Sequence, residues 1–177
     1  MGFNRKYKEI INDIITDDNF QLLKNDNHHG TSKFDHCKRV SFLSYIIGKM
    51  FKGNISEVTR AGLLHDFFYG SRTSKEENSY LNHPKTSIIN SKKYFNISDN
   101  EARIIETHMF HYALVKKIFP FINRDRKIKL VEYKPNSKEG IIVCVSDLLV
   151  SIYELGMFKI RYSLCLYLLF VINIMKY

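Results

Sequence analysis

Along this chain apolar residues return at helical spacing, and small polar residues mark where each run begins and ends. An amphipathic stretch covers Tyr7–Ile15, followed by a polar connection, DDNFQLLKNDNHHGT. Ser32 with Asp35 has the form of a capping box and predicts a helix from about Lys33 that stops at Gly53, a residue suited to a left-handed C′ position. Asn54 with Glu57 opens the next run, ISEVTRAGLLHDFFY, which Gly70 closes. SRTSKEENSYLN is polar and aperiodic, hence a loop. Pro84 suits a first helical position, which makes His83 the expected N-cap of a helix reaching about Phe95. Ser98 and Glu101 form another capping box, ahead of EARIIETHMFHYAL. Phe119–Glu139, with two prolines and many charges, is expected to be an exposed excursion.

Two segments resist assignment by pattern. IIVCVSDLLVSIYE, after Gly140, is one apolar run that suits a β-branched strand or a core helix equally. Beyond Gly156, residues 157–177 form an apolar tail whose longest run, Tyr162–Met175, is shorter than the ~20 residues of a spanning helix. A buried or dimer-forming helix is the favoured reading of the tail, and contact with a membrane the disfavoured one. No internal repeat or linker divides the chain, so residues 1–156 are expected as one domain with the tail appended.

Composition narrows the class. A chain of 177 residues with 45% hydrophobic content can enclose a core and is not disordered. Cys37, Cys144 and Cys165 are odd in number and lack C-x-x-C spacing, which speaks against a disulfide framework or a cysteine-built zinc site and for a reduced, cytoplasmic setting. The N-terminus has no signal-like apolar run, and Lys6 occupies the position where the myristoylation pattern needs Ser or Thr. The net charge of +9 is spread over short separated groups rather than one basic block. That distribution suits solvated helix faces and attraction of small anions, and disfavours nucleic acid as the main partner.

The chemistry lies in where histidines and aspartates fall. His36 stands in the second predicted helix, His65 and Asp66 in the third, His83 at the cap of the fourth and His108 in the fifth. Asp147 interrupts the apolar run of a sixth segment. Taken singly, each has an ordinary structural explanation: His83 as a cap, Asp147 as the partner of an arginine. Taken together, they place one ligand-capable group on each apolar element. A carboxylate such as Asp147 is costly to bury without a cation or hydrogen-bond donor. Imidazoles and carboxylates without cysteine make an N/O donor set suited to zinc, iron or manganese.

The order H36 … H65-D66 … H83-P84 … H108 … D147 resembles the HD-domain metal-dependent phosphohydrolase superfamily, and within it a group of uncharacterised bacterial HD-domain proteins. The matching text is TSKFDHCKRVSFLSYIIG, AGLLHDFFY, NHPKTSIINSKKYF, IIETHMF and IIVCVSDLL, covering about Thr31–Glu154. The resemblance implies an all-α fold, a single HD-type helical bundle, and therefore a helix around Asp147. It implies one or two divalent transition-metal ions. His36, His65, Asp66 and Asp147 would hold the first; His83 and His108 would add a second, with Asp66 bridging the pair and orienting the attacking hydroxide. Two departures stand out. The segment HDFFYGS lacks the lysine that many members carry shortly after the HD pair, and nothing after about Gly156 can be aligned.

The activity this resemblance implies is hydrolysis of phosphoester or phosphoanhydride bonds in a nucleotide or related small phosphorylated molecule. The alternative is a regulatory module that binds metal and nucleotide with little turnover. Arg39, one turn after His36, and Lys85, after Pro84, are candidate phosphate contacts. His111, three residues after His108, is a candidate proton donor whose competing reading is a plain surface histidine.

Overall fold

The computed structural model describes residues 2–28, 30–70, 81–118 and 129–174. They are overwhelmingly helical: α1 (Gly2–Ile15), α2 (Asp18–Gln21), a 3₁₀ turn (Leu22–Asn25), α3 (Lys33–Met50), α4 (Ile55–Leu64), α5 (His83–Tyr94), α6 (Asp99–Thr107), α7 (Phe110–Ile118), α8 (Leu130–Tyr133) and α9 (Lys138–Ile174). Before α3, strands β1 (Asn27–His28) and β2 (Thr31–Ser32) pair antiparallel over two residues each. The all-α expectation holds, and Asp147 lies on a helix.

The centre of the bundle is the pair α3–α4, run back to back so that the start of α3 meets the end of α4. Close approach depends on the absence of a side chain at two points. A Cβ on Gly62 would meet Ser44 Oγ at 3.0 Å and the Ser41 Cα at 3.2 Å, and one on Gly48 would meet Val58 at 2.7 Å. Ser41 Oγ donates to the Thr59 carbonyl at 2.8 Å across the same seam. Around this pair Ile14, Phe20, Leu23, Leu63, Leu64, Phe67 and Ile105 are fully buried. Arg60 on α4 ties two further helices to it, binding Asp13 of α1 at 2.7 Å and Glu101 of α6 at 3.0 Å.

Three caps fall where the sequence places them. Ser32 accepts from the Asp35 N–H, Asn54 from the Glu57 N–H, and Ser98 forms a complete capping box with Glu101. Other boundaries differ. The polar connection after α1 holds α2 and the 3₁₀ turn, because Phe20 and Leu23 are large enough to anchor it in the core. Helix α3 ends with Lys52 in the left-handed position (φ 51°), and the Gly53 N–H returns to the Gly48 carbonyl at 2.9 Å. Gly53 is therefore the residue after the left-handed one, and its missing side chain admits Ile142 of α9, which a Cβ would meet at 3.3 Å.

The most consequential differences concern the ligand-bearing residues. His65 is the C-cap of α4 and Asp66 follows it, so neither lies inside a helix. His108 is likewise the C-cap of α6, where one continuous helix was expected. His83 is the first residue of α5, and Asn82 takes the N-cap position without a side-chain cap. Gly156 does not interrupt α9, which continues to Ile174; a Cβ there would meet nothing within 4 Å. Of the expected loop and excursion, 71–80 and 119–128 lie outside the described residues, while 130–133 and 138–139 are helical.

Candidate metal centre

Two helix ends use the same local device. A helix leaves its last carbonyls without intrahelical donors. At the end of α4, His65 Nδ1 donates to the Gly62 carbonyl at 2.9 Å; at the end of α6, His108 Nδ1 donates to the Ile105 carbonyl at 2.7 Å. Both bonds reach back three residues and fix the neutral tautomer, since the carbonyl can only accept. Each ring is left with a bare Nε2 lone pair pointing inward.

Those lone pairs meet the other four expected ligands. His36 Nε2 lies 3.3 Å from His65 Nε2 and 3.2 Å from Asp147 Oδ1. His65 Nε2 is 3.6 Å from both Asp147 Oδ1 and Asp66 Oδ2. On the other side of Asp66, Oδ1 is 3.1 Å from His83 Nε2 and 3.8 Å from His108 Nε2, and those two nitrogens are 3.0 Å apart. The two oxygens of Asp66 thus face two different groups, His36–His65–Asp147 and His83–His108. All six residues are buried. Helices α3, α5 and α9 and the C-terminal turns of α4 and α6 each contribute.

The electrostatics ask for positive charge. Burial would depress the His36 imidazole, but hydrogen bonds to Asp147 and Glu154, with their charges, outweigh it and raise its pKa. Burial would likewise raise the Asp147 carboxyl; the bonds from His36 and His65 hold it well below the usual carboxylate range instead. His65 is lowered by burial, against the pull of Asp147. His108 is lowered well below the ordinary imidazole value by burial and by repulsion from His65 and His83. Two carboxylates and inward lone pairs, dry and converging, fit a divalent cation of the kind that N/O ligands take. Ligand atoms of His36, His65 and Asp147 lie within 4.8 Å of one another, as do those of His65, Asp66 and His108.

The three other expected residues stand differently. Arg39 donates to Glu154 at 2.7 Å and to Thr31 at 3.1 Å, so its guanidinium reaches the site through Glu154. Lys85 is exposed in the first turn of α5, two residues after His83. His111 is half-buried, with Nδ1 on the His108 carbonyl at 3.2 Å and near Cys144 Sγ at 3.6 Å; its described contacts are with those groups and not with Asp66.

Two participants are not foreseen from the sequence. Glu154 is buried and accepts from His36 Nδ1 at 2.9 Å, turning the histidine's other nitrogen toward the centre. Its signal was available: it follows Asp147 by seven residues, two helical turns, and so shares its face. Lys33 is buried as well, donating to the Phe68 carbonyl at 2.7 Å, the Gly70 carbonyl at 3.1 Å and Asp26 at 3.1 Å. It lies over the Phe68 ring, which in turn packs on His83. Lys33 therefore pins the segment that carries the HD pair.

An all-helical bundle converging His and Asp side chains from five elements on a buried point defines a helical domain whose centre could hold a metal ion. A family model described as the HD domain matches residues 34–151, two-thirds of the chain, and the protein belongs to the HD-domain family. No curated protein and no solved structure matches it. Glu154 lies three residues beyond the family match.

Proposed function

We propose that this protein is a metal-dependent phosphohydrolase that cleaves a phosphoester or phosphoanhydride bond in a small phosphorylated molecule, a nucleotide or a relative of one, at a dinuclear site. The observation that carries this reading is the division of Asp66, with Oδ2 toward His36 and His65 and Oδ1 toward His83 and His108. A single carboxylate so placed can bridge two ions. Divalent ions held by these residues would supply a water of pKa about 7 and positive charge for phosphoryl oxygens.

The chain's own residues do the remaining work. Asp66 and Asp147 are buried carboxylates that would hold the ions beside the imidazoles. Glu154 and the two helix-end carbonyls hold three imidazoles in the tautomer that binds metal. Lys85, exposed two residues after His83 in the first turn of α5, is a candidate phosphate contact. Arg39 is only partly spent on Glu154 and is nearly half exposed, which leaves donors for a phosphate oxygen. The net charge of +9 adds an attractive field for a polyanionic substrate.

The test is metal analysis of the purified protein, followed by assay against a panel of phosphate esters and anhydrides with iron, manganese and zinc in turn. Turnover that a chelator abolishes and one of these ions restores supports the reading. Unchanged metal content and turnover in both His65→Ala and Asp66→Ala would overturn it. Binding of a nucleotide without product would instead mark a regulatory module.

A further inference from the structure

Helix α9 is apolar on two sides. Its inner face sends Val143, Asp147, Val150 and Glu154 into the domain, at intervals of four, three and four residues, where α9 packs on α3, α4 and α6. Its outer face repeats the same intervals with Ile141, Val145, Leu148, Ile152 and Leu155, all exposed. A helix that is hydrophobic all round is covered on every side in its working state. From Ile141 to Ile160, nine large apolar side chains of α9 are between 36% and 62% exposed. Five of them, Ile141, Val145, Leu148, Ile152 and Leu155, form the outer face and present apolar surface on the order of 400 Å², the size of the largest patch on a typical monomer (~300–600 Å²) and about half of one partner's share of a standard interface.

The spacing says what covers it. Intervals of four and three are the heptad repeat, with Val145 and Ile152 at the a positions and Ile141, Leu148 and Leu155 at d. β-Branched residues at a with leucine at d favour two parallel strands. The backbone stays helical to Ile174, and the sequence keeps the register through Lys159 at a, Tyr162 at d, Leu166 at a and Leu169 at d. A lone lysine at an a position fixes alignment and strand number at a cost in stability. The flanking positions Leu149, Ser151 and Gly156 are uncharged, so alignment rests on Lys159 and the a/d choice rather than on flanking ion pairs.

We propose that α9 is a dimerisation helix, through whose outer face two copies of this chain associate in parallel and in register. A lipid bilayer is the competing occupant, since Lys138–Met157 is long and apolar enough to cross one. That window, however, also carries buried Asp147 and Glu154 on its inner face, and moving it into lipid would dismantle the metal centre. The dimer covers the outer face and leaves the inner one in place.

Sedimentation of the metal-loaded full chain should give twice the 20.9 kDa of the monomer. Val145→Glu with Ile152→Glu should give the monomer mass with helical content and metal unchanged. In a Cys165→Ser background, Lys159→Cys should form a covalent dimer on mild oxidation, since equal a positions face one another only in parallel, in-register strands. This cross-link reads the wild-type interface even where the double variant fails to fold. A monomeric wild type at micromolar concentration, the absence of a cross-link, or a monomer that floats with phosphatidylglycerol vesicles would each overturn the proposal.

Discussion

His36 Nδ1 lies 2.9 Å from Glu154 Oε2, a buried contact joining the first turn of α3 to the middle of α9. Because the carboxylate can only accept, it orients the ring and leaves Nε2 for the centre. Arg39 holds the other oxygen of Glu154 at 2.7 Å, and with His36 it outweighs burial to keep the Glu154 pKa low. Glu154→Ala is expected to weaken metal binding about 10–100-fold. Glu154→Gln, whose carbonyl oxygen can still accept from His36, should retain most of it. Competition against a chromophoric chelator measures both. Equal affinity of the alanine variant and wild type would remove Glu154 from any role in the site.

The division of Asp66 between two groups makes a prediction about stoichiometry. Wild type should bind two ions per chain, His83→Ala one and Asp66→Ala none, read by elemental analysis after equilibration with excess ion. Asp147→Asn should weaken the His36–His65 side and spare the other. If His83→Ala kept the wild-type ratio, the second group would have no part in binding.

The metal-free protein should be most stable near neutral pH. His65 and His108 have lowered pKa values, so the unfolded chain takes up their protons first. Their contribution is fully present above the unfolded value of about 6.5 and is lost as pH falls toward the folded values. His36 is raised, so its contribution is present below about 6.5 and is lost as pH rises through its folded value. Denaturant midpoints in the presence of a chelator should therefore decline on both sides. A proton held by His36 is released when metal binds, so calorimetry near neutral pH should show a heat that depends on the ionisation enthalpy of the buffer. A heat independent of buffer would mean His36 is already neutral.

Much of the centre was legible because its residues are chemically out of place: His36, His65, Asp66, His83, His108 and Asp147 interrupt apolar elements. Their order carried the family resemblance and, with it, the helix around Asp147 that local pattern could not decide. The helix starts were legible too, since Ser32, Asn54 and Ser98 act through neighbours three residues away. The ends were not. His65 and His108 terminate their helices by bonding a carbonyl through the ring, and a histidine has no fixed capping signature. Glu154 was missed because its role depends on which face α9 turns inward, and Lys33 because a lysine before an N-terminal turn reads as solvated.

Lys33 supplies a test of the segment that carries the HD pair. Its ammonium satisfies two carbonyls and Asp26 beneath the surface. Lys33→Met keeps the apolar stem over Phe68 and removes the donors, leaving Asp26 partly buried without its cation. The expected cost is about 2–3 kcal/mol of stability, with metal affinity falling as residues 66–70 loosen. A urea midpoint and a metal titration on the same sample check both. Loss of stability with undiminished metal affinity would show that the segment is held from elsewhere.

Two glycines should respond to alanine with opposite sign. At Gly62 a methyl would press on Ser44 Oγ and on the Ser41 backbone, at 3.0 and 3.2 Å. Backbone cannot swing aside, so α4 must shift against α3, and Gly62→Ala is expected to cost about 1–3 kcal/mol. That shift also moves His65 relative to His36, so metal affinity should fall with stability. At Gly156 a methyl would meet nothing within 4 Å, and the residue lies inside a continuous helix. Gly156→Ala should therefore stabilise α9 by up to about 1 kcal/mol through helix propensity alone. Thermal unfolding of the two variants beside wild type decides the matter. A destabilised Gly156→Ala would mean that the chain bends at this glycine and that α9 does not run through it as one helix.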